Sequence, residues 1–177
     1  MSGWIEIVQP NALFNNAYTL VVLGALLIAI QLIVFMYIYV LKSRIKIFNG
    51  KFMKKFEEEH KSAFGTKPAN LGYPDTGNGR YSKALPYKEW YEFNCAQRCH
   101  MNYIEGFALI LVGTLISGIQ YPLITFATQI VYIIGRQLYS DGYMKGADYR
   151  ITGAGLYQVA NLVAIVLSVK SALSIVG

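Results

Sequence analysis

The chain has 177 residues, a length typical of one domain, and 54% of them are hydrophobic while only 15% are charged. This balance is that of a membrane protein and excludes an ordinary soluble domain. The net charge of +6 does not indicate nucleic-acid binding, because eleven of the sixteen Lys and Arg residues lie in one segment, residues 42–88. A basic segment between apolar spans instead orients a protein toward the anionic face of a membrane.

The first apolar stretch covers residues 17–41 and contains no charged residue. It is long enough to cross a bilayer with some tilt. Residues 1–16 lack the basic start and the short apolar core of a cleavable signal peptide. We therefore predict that the first span is an uncleaved anchor.

Residues 42–92 form a long basic loop after this span. Phe48, Phe52 and Phe56 recur every four residues among lysines. The pattern fits either an amphipathic helix at the lipid headgroups or an extension of the first span with a solvated basic face. After Gly65 the sequence is dense in Gly, Pro and Asn, which predicts irregular loop. A connection of this length is either functional or disordered.

Three further spans are predicted, over residues 95–120, 123–143 and 153–176. The sequence GAG at residues 153–155 allows neighbouring helices to approach closely. The two basic loops should share the cytosolic face, with both termini opposite. We therefore predict one all-α domain over residues 1–177, an integral membrane four-helix bundle that is left-handed and runs up-down-up-down in the lipid bilayer.

Polar side chains crowd the start of the second span, in the sequence FNCAQRCHMNYIE at residues 93–105. Ionisable groups inside a membrane are expensive to insert and are usually functional. At 100° per residue one face of this helix is polar. That face holds Asn94, Arg98, Asn102 and Glu105. His100 lies about 200° from Arg98 and should face a different neighbour.

The two cysteines, Cys95 and Cys99, lie four residues apart on the same predicted helix. Their Cβ vectors run parallel, so the pair is poorly placed for a disulfide. A metal site is not predicted, because His100 points away from the cysteine face and a fourth ligand is missing. The motif CAQRCH also has one residue too many for haem attachment. We predict two buried thiols.

The predicted topology brings polar residues of separate helices to one membrane face: Arg44, residues 98–105, residues 136–143 and Arg150. Guanidinium groups bind carboxylates in bidentate geometry, and amides and tyrosine hydroxyls add neutral hydrogen bonds. Glutathione, with two carboxylates, one amino group and amide links, is one ligand that matches. A nearby arginine also favours thiolate over thiol. The alternative is that these residues, Arg136 above all, only pair helices internally.

The motifs FNCAQRCHMNYIE and GRQLYSDGY resemble two signatures of the membrane-associated proteins in eicosanoid and glutathione metabolism, the MAPEG family. Within that family the chain is most similar to the type-3 microsomal glutathione transferases. The resemblance implies a homotrimer that binds glutathione, a co-substrate, between neighbouring subunits. It implies glutathione contacts from Arg98, Asn102, Glu105, Tyr139 and Tyr143 of one subunit and from Arg44 and His100 of the next. Arg150 matches the thiolate-stabilising arginine.

Two departures from the family pattern accompany the resemblance. The loop over residues 42–92 is longer than the family suggests. Gly106 stands where some relatives place an aromatic ligand-binding residue.

The favoured function is that of a glutathione transferase or peroxidase in the endoplasmic reticulum or mitochondrial membrane. It would act on lipophilic electrophiles or lipid hydroperoxides, which enter from the bilayer. The alternative, motivated by the long loop, is a non-catalytic accessory subunit of a larger membrane assembly, for example a mitochondrial one. A lipid-presenting protein without chemistry is a third possibility, against which Arg150 argues.

Overall fold

The computed structural model describes residues 12–176. The prediction about a signal peptide rests on the first residues, of which 1–11 lie outside this range. Over the described range the chain is all-helical, as the sequence predicts. Its α-helices in chain order are α1 (Ala12–Phe35), α2 (Lys42–Ile47), α3 (Gly50–Met53), α4 (Glu57–Phe64), α5 (Arg80–Lys83), α6 (Tyr87–Ser117), α7 (Pro122–Lys145) and α8 (Ile151–Val176).

Short helical pieces lie between these helices. A π-helical segment, Met36–Leu41, joins α1 to α2 without a break. Three 3₁₀ turns cover Lys54–Phe56, Asn70–Gly72 and Ala147–Arg150. The last of these follows Gly146, the residue with a φ of 155° at which α7 ends, and leads into α8.

Among the described residues, three helical segments are long and apolar enough to cross a membrane: Ala17–Ile47, Tyr87–Gly118 and Ala147–Ser174. They overlap the predicted first, second and fourth spans, but the first helix continues beyond residue 41 and the second begins before residue 95 and ends before residue 120. The cause of both extensions is the same, since each apolar run continues as a polar helix into the basic loop. Large apolar side chains on the outward face of α1, such as Leu26 and Ile30, are exposed, as lipid contact requires.

Helix α7 covers the predicted third span, but it is not among the three segments that are apolar enough to cross a membrane. It packs against α1, α6 and α8. Its buried Gln129 donates hydrogen bonds to the Val21 carbonyl (3.0 Å) and to the Thr114 hydroxyl (3.1 Å). Within a bilayer such groups need partners inside the protein, because no water competes for them. The polar face of α7 is therefore turned toward the other three long helices.

The loop over residues 42–92 has a small core of its own. The helix of the first span stops at Ile47, and Asn49 caps a new helix by accepting a hydrogen bond from Phe52 N (3.1 Å). Phe48 and Phe52 are buried and pack with Phe93 of α6. The predicted headgroup helix is therefore wrong for these two phenylalanines, which face the interior of the chain. The extension of the first span is correct for α2 alone.

Helices α7 and α8 cross at glycines. A Cβ on Gly153 would lie 2.1 Å from the backbone nitrogen of Tyr139, and a Cβ on Gly135 would lie 2.6 Å from that of Tyr157. A Cβ on Gly155, by contrast, would have no neighbour within 4 Å. The predicted close approach is therefore confirmed for Gly153 and absent for Gly155.

This difference gives a matched pair of variants. Gly153→Ala should lower the Tm of the detergent-solubilised protein by about 5 °C or more, because the added methyl group meets backbone that cannot rotate away. Gly155→Ala gains the same helix propensity, about 1 kcal/mol, without a clash and should keep or raise the Tm. Equal Tm values for the two variants would show that the crossing has room for a side chain.

Candidate functional site

The side chain of Arg136 lies at the centre of the polar end of the bundle, with 1% of its surface exposed. It donates to the Asn102 side-chain oxygen (3.0 Å) and to the Cys99 carbonyl (3.4 Å). No carboxylate pairs with it among the described residues. Three tyrosine rings surround the guanidinium instead, with centroids 4.2–4.9 Å away: Tyr103, Tyr157 and Tyr139. Aromatic faces and neutral oxygens thus balance this buried charge.

Asn102 is the point where three helices meet. Its side-chain oxygen accepts from Arg136 of α7 and from the Tyr157 hydroxyl of α8 (3.1 Å). The arginine can only donate, so the amide can be oriented in only one way. Its NH₂ group therefore points to Glu105, whose Oε2 lies 3.4 Å away. The structure joins two members of the predicted polar face, Asn102 and Glu105, to the core of the bundle.

Tyr139, Tyr143 and Arg150 form a second part of the same region. The Tyr139 ring is buried and packs edge-on against those of Tyr143 (5.2 Å) and Tyr157 (5.3 Å). The Arg150 guanidinium lies 5.2 Å from the Tyr143 ring centroid and donates to the Ala147 carbonyl. The structure therefore brings three of the sequence-predicted residues together.

A glycine accounts for the position of Arg150. A Cβ on Gly142 would lie 2.4 Å from the Tyr149 carbonyl oxygen, so the link between α7 and α8 packs directly on the helix. This close packing returns the chain toward Tyr143.

The other predicted residues are distributed differently. Arg98 and Glu105 are exposed on α6, and His100 is half-buried. Within the single chain, Arg98 and His100 are not joined to the network of Asn102. Their predicted contacts with a ligand between subunits stay predictions.

Arg44 is buried in its own chain, with 2% of its surface exposed. Its guanidinium donates to the carbonyls of Leu71 (2.7 Å) and Asp75, and it lies 4.2 Å from the Tyr73 ring centroid. It therefore holds residues 71–75 against α2. Its predicted part in a neighbouring subunit's glutathione site is untested.

Asp75 organises the same loop. Its two carboxylate oxygens accept from the backbone nitrogens of Gly77 (2.8 Å), Gly79 (3.0 Å) and Ser82 (2.8 Å), and from the Ser82 hydroxyl (2.6 Å). Burial alone would raise the pKa of Asp75, but these hydrogen bonds to the charged form outweigh it and lower the pKa. Asn94 of α6 donates to the Gly77 carbonyl (2.9 Å), so this residue of the polar face serves the loop.

Both cysteines are buried free thiols, as the sequence predicts. Among the described residues, no three His, Cys, Asp or Glu side chains are grouped in a way that could hold a metal ion.

Sequence reasoning did not place Tyr157 and Tyr103 at this site. Tyr157 lies four residues after Gly153, on the face of α8 that packs on α7, and that spacing is a signal that could have found it. For Arg136 the sequence left two possibilities open, a place in the anion site or a role only in pairing helices. The structure buries its guanidinium inside the bundle.

Long apolar helices with lipid-facing side chains, and a polar network at one end, define an integral membrane protein of the all-helical class. The chain belongs to the MAPEG family, whose model matches residues 17–170. That match covers α2, α6 and α7 in full and includes every predicted site residue. The family includes glutathione transferases and related membrane proteins.

Because Asp75 accepts four hydrogen bonds, we expect its replacement by asparagine to destabilise the loop. Asp75→Asn replaces an acceptor oxygen with an NH₂ group and should cost the loop about 2 kcal/mol. Amide hydrogen exchange in residues 70–85 should then become faster. Asp148→Asn, at an exposed aspartate, is the control and should leave this exchange unchanged.

The pH dependence of the wild-type loop follows from the same carboxylate. Its pKa is lower in the folded chain, so its stabilisation is fully present above the ordinary value of about 3.9 and is lost as the pH falls through the folded value. Protection of residues 70–85, corrected for intrinsic exchange, should therefore decrease in that acidic range, and Asp75→Asn should remove the decrease. An identical acid profile in both proteins would contradict the assignment.

Proposed function

We propose that this protein is a membrane-bound glutathione transferase or peroxidase that acts on lipophilic electrophiles or lipid hydroperoxides. Membership in a family that contains glutathione transferases supports the reaction class. The observation that carries the proposal is the oriented amide of Asn102, held by Arg136 and Tyr157 and directed at Glu105. Such a preorganised polar group at the end of a membrane bundle is suited to bind a polar ligand.

The charges on α6 complement glutathione. Arg98 is a cation that suits a carboxylate, and Glu105 is an anion that suits an ammonium group. Both side chains are exposed in the single chain, so a ligand between subunits could reach them. Tyr139 and Tyr143 add hydroxyl groups. We propose a homotrimer of four-span subunits, in which a neighbour's His100 and Arg44 would complete the site.

Arg150 is the residue that would stabilise the thiolate of glutathione. One of its N–H groups is used by the Ala147 carbonyl, which fixes the guanidinium beside Tyr143 and leaves further donors for sulfur. In the transfer reaction, a carbon–sulfur bond forms, the thiol proton goes to solvent and the leaving group departs with its electron pair. In the peroxidase reaction, a hydroperoxide is reduced to an alcohol and water while two thiols are oxidised to a disulfide.

The apolar substrate would enter from the bilayer, since the outward faces of α1 and α8 are apolar and exposed. Glutathione would enter from the face that carries the basic loop. An endoplasmic reticulum or mitochondrial membrane suits this arrangement.

The first functional prediction concerns Arg150. Arg150→Ala should lower kcat for conjugation of an aromatic electrophile about a hundredfold, because the charge that favours the thiolate is lost. The oligomer, measured by size exclusion, should be unchanged. Arg80→Ala, at an exposed arginine of the loop, is the matched control and should retain full turnover. Unchanged turnover in the Arg150 variant would remove this residue from the mechanism.

The second functional prediction concerns Arg136 as a positioning residue. Arg136→Lys keeps the charge but loses the planar fork that meets Asn102 and the tyrosine rings. We expect the KM for glutathione to rise about tenfold, with a smaller change in kcat, because an Asn102 amide that is held less firmly binds the ligand more weakly. A thermal unfolding curve separates this effect from simple destabilisation. A stable variant with unchanged KM would mean that Arg136 only packs helices.

The loop favours a second candidate function, that of an accessory subunit in a larger membrane assembly. Residues 42–92 form a folded unit, yet Phe64, Tyr73 and Tyr87 are exposed on it. Exposed aromatic residues are typical of protein interfaces. Blue-native electrophoresis of the solubilised membrane distinguishes the two, because an enzyme that acts alone should migrate only as a trimer-sized species.

A further inference from the structure

A cavity of about 940 Å³ opens between α2, the start of α6 and the end of α7. Its volume lies in the range of sites that bind drug-sized molecules. Of the residues in the proposed glutathione site, only Tyr143 is part of its wall. The cavity therefore borders the proposed glutathione site at Tyr143 and is otherwise separate from it.

Lysines supply most of the charge around this cavity. Lys42 and Lys46 come from α2, Lys88 from α6 and Lys145 from the end of α7. Lys46 pairs with Glu92, which also lines the cavity, at 3.0 Å. The other three lysines form no ion pair within the described part of the chain. An excess of positive charge therefore faces any molecule that enters.

The remaining wall is mostly apolar and aromatic, and one end of it is closed by a hydrogen bond. Lys88, Tyr91 and Cys95 recur at i, i+3 and i+7, so they share one face of α6. The Tyr91 hydroxyl accepts from Ala147 N (3.1 Å), which ties this face to the link between α7 and α8. The cavity thus combines a basic rim with an apolar wall, the combination that an anionic amphiphile requires.

The position of the cavity indicates that this amphiphile is a membrane lipid and not a soluble anion. Lys42 and Lys46 lie on the direct continuation of the first membrane span. Ile38 and Ile45, which belong to the same wall, are 45% and 57% exposed and continue the lipid-facing surface of α1. Lysines at the end of an apolar span lie at the depth of lipid phosphates. A soluble anion would use the lysines but not this apolar wall.

We propose that the cavity binds one acidic phospholipid. The headgroup phosphate contacts Lys42, Lys88 and Lys145, and an acyl chain lies along Ile38 and Ile45. This inference does not depend on glutathione chemistry, and it assigns the lysines at the end of the bundle to lipid recognition.

The test uses the full-length protein in nanodiscs that contain phosphatidylcholine with or without phosphatidylglycerol. Native mass spectrometry after release into detergent counts the lipid that each protein retains. The cavity variant Lys42→Gln/Lys88→Gln/Lys145→Gln should retain phosphatidylglycerol about a hundredfold more weakly, at about fivefold for each lysine. The control variant Lys51→Gln/Lys54→Gln/Lys83→Gln removes the same charge from loop positions outside the cavity and should bind as the wild type does. Equal losses in both variants would overturn the proposal, because bulk charge would then explain binding.

A second variant tests the cavity without changing its charge. Ser43→Phe places a ring inside the wall and should displace phosphatidylglycerol while leaving the Tm in lipid-free detergent within a few degrees. Retention of the lipid by this variant would contradict the site. In a competition experiment, inorganic phosphate or reduced glutathione is added to the wild-type protein with bound phosphatidylglycerol. Neither compound should release the lipid. Release by glutathione would reassign the cavity to the co-substrate, whereas failure of the transferase assay alone would leave the lipid result standing.

Discussion

The charge on Arg136 is the constraint around which the polar end of the bundle is built. A guanidinium removed from water inside a membrane protein is strongly destabilising unless hydrogen bonds and polarisable groups replace its hydration. Here the replacements come from separate helices, with Tyr103 and Asn102 on α6, Tyr139 on α7 itself and Tyr157 on α8. These contacts form only when α6, α7 and α8 pack with one relative height along the bundle and one rotation about each helix axis. Glycine at residues 135 and 153 permits that approach between α7 and α8.

The contacts around Arg136 also fix the side-chain conformations of the candidate site. The Asn102 amide has one orientation because Arg136, which can only donate, binds its oxygen, and the Tyr157 hydroxyl donates to the same oxygen. Tyr139 cannot rotate freely because Tyr157 and Tyr143 pack on its two sides. Side chains proposed to contact the ligand, such as Asn102 and Tyr139, are thus held in place by Arg136 and Tyr157, which are not proposed to contact it. A site of this kind is preorganised, and the cost of ordering it is met when the bundle folds rather than when the ligand binds.

Local patterns in the sequence predicted the helices, the family and the polar face of α6, since uninterrupted apolar runs and a 3.6-residue period are both visible without tertiary contacts. The pairing of Asn102 with Glu105 follows from their spacing of three residues. The loop could not be predicted in this way. Its core depends on the cap at Asn49, which turns Phe48 and Phe52 inward, and on contacts between distant residues such as Arg44 and Asp75. Asn94 shows the same limit, because the helical wheel placed it in the site whereas its amide binds Gly77.

The loop and the site are mechanically connected through the first turns of α6. Phe93 is buried in the loop core, Asn94 binds the loop backbone, and Asn102 lies two turns further along the same helix. The rotation of α6 is therefore fixed at one end by the loop and at the other by Arg136. Because α6 also carries Lys88 and Tyr91, that rotation sets the wall of the lysine-rimmed cavity as well. The loop over residues 42–92 thus fixes the rotation of α6, the helix that bears the polar face. Displacing this loop should therefore disturb both the polar site and the cavity.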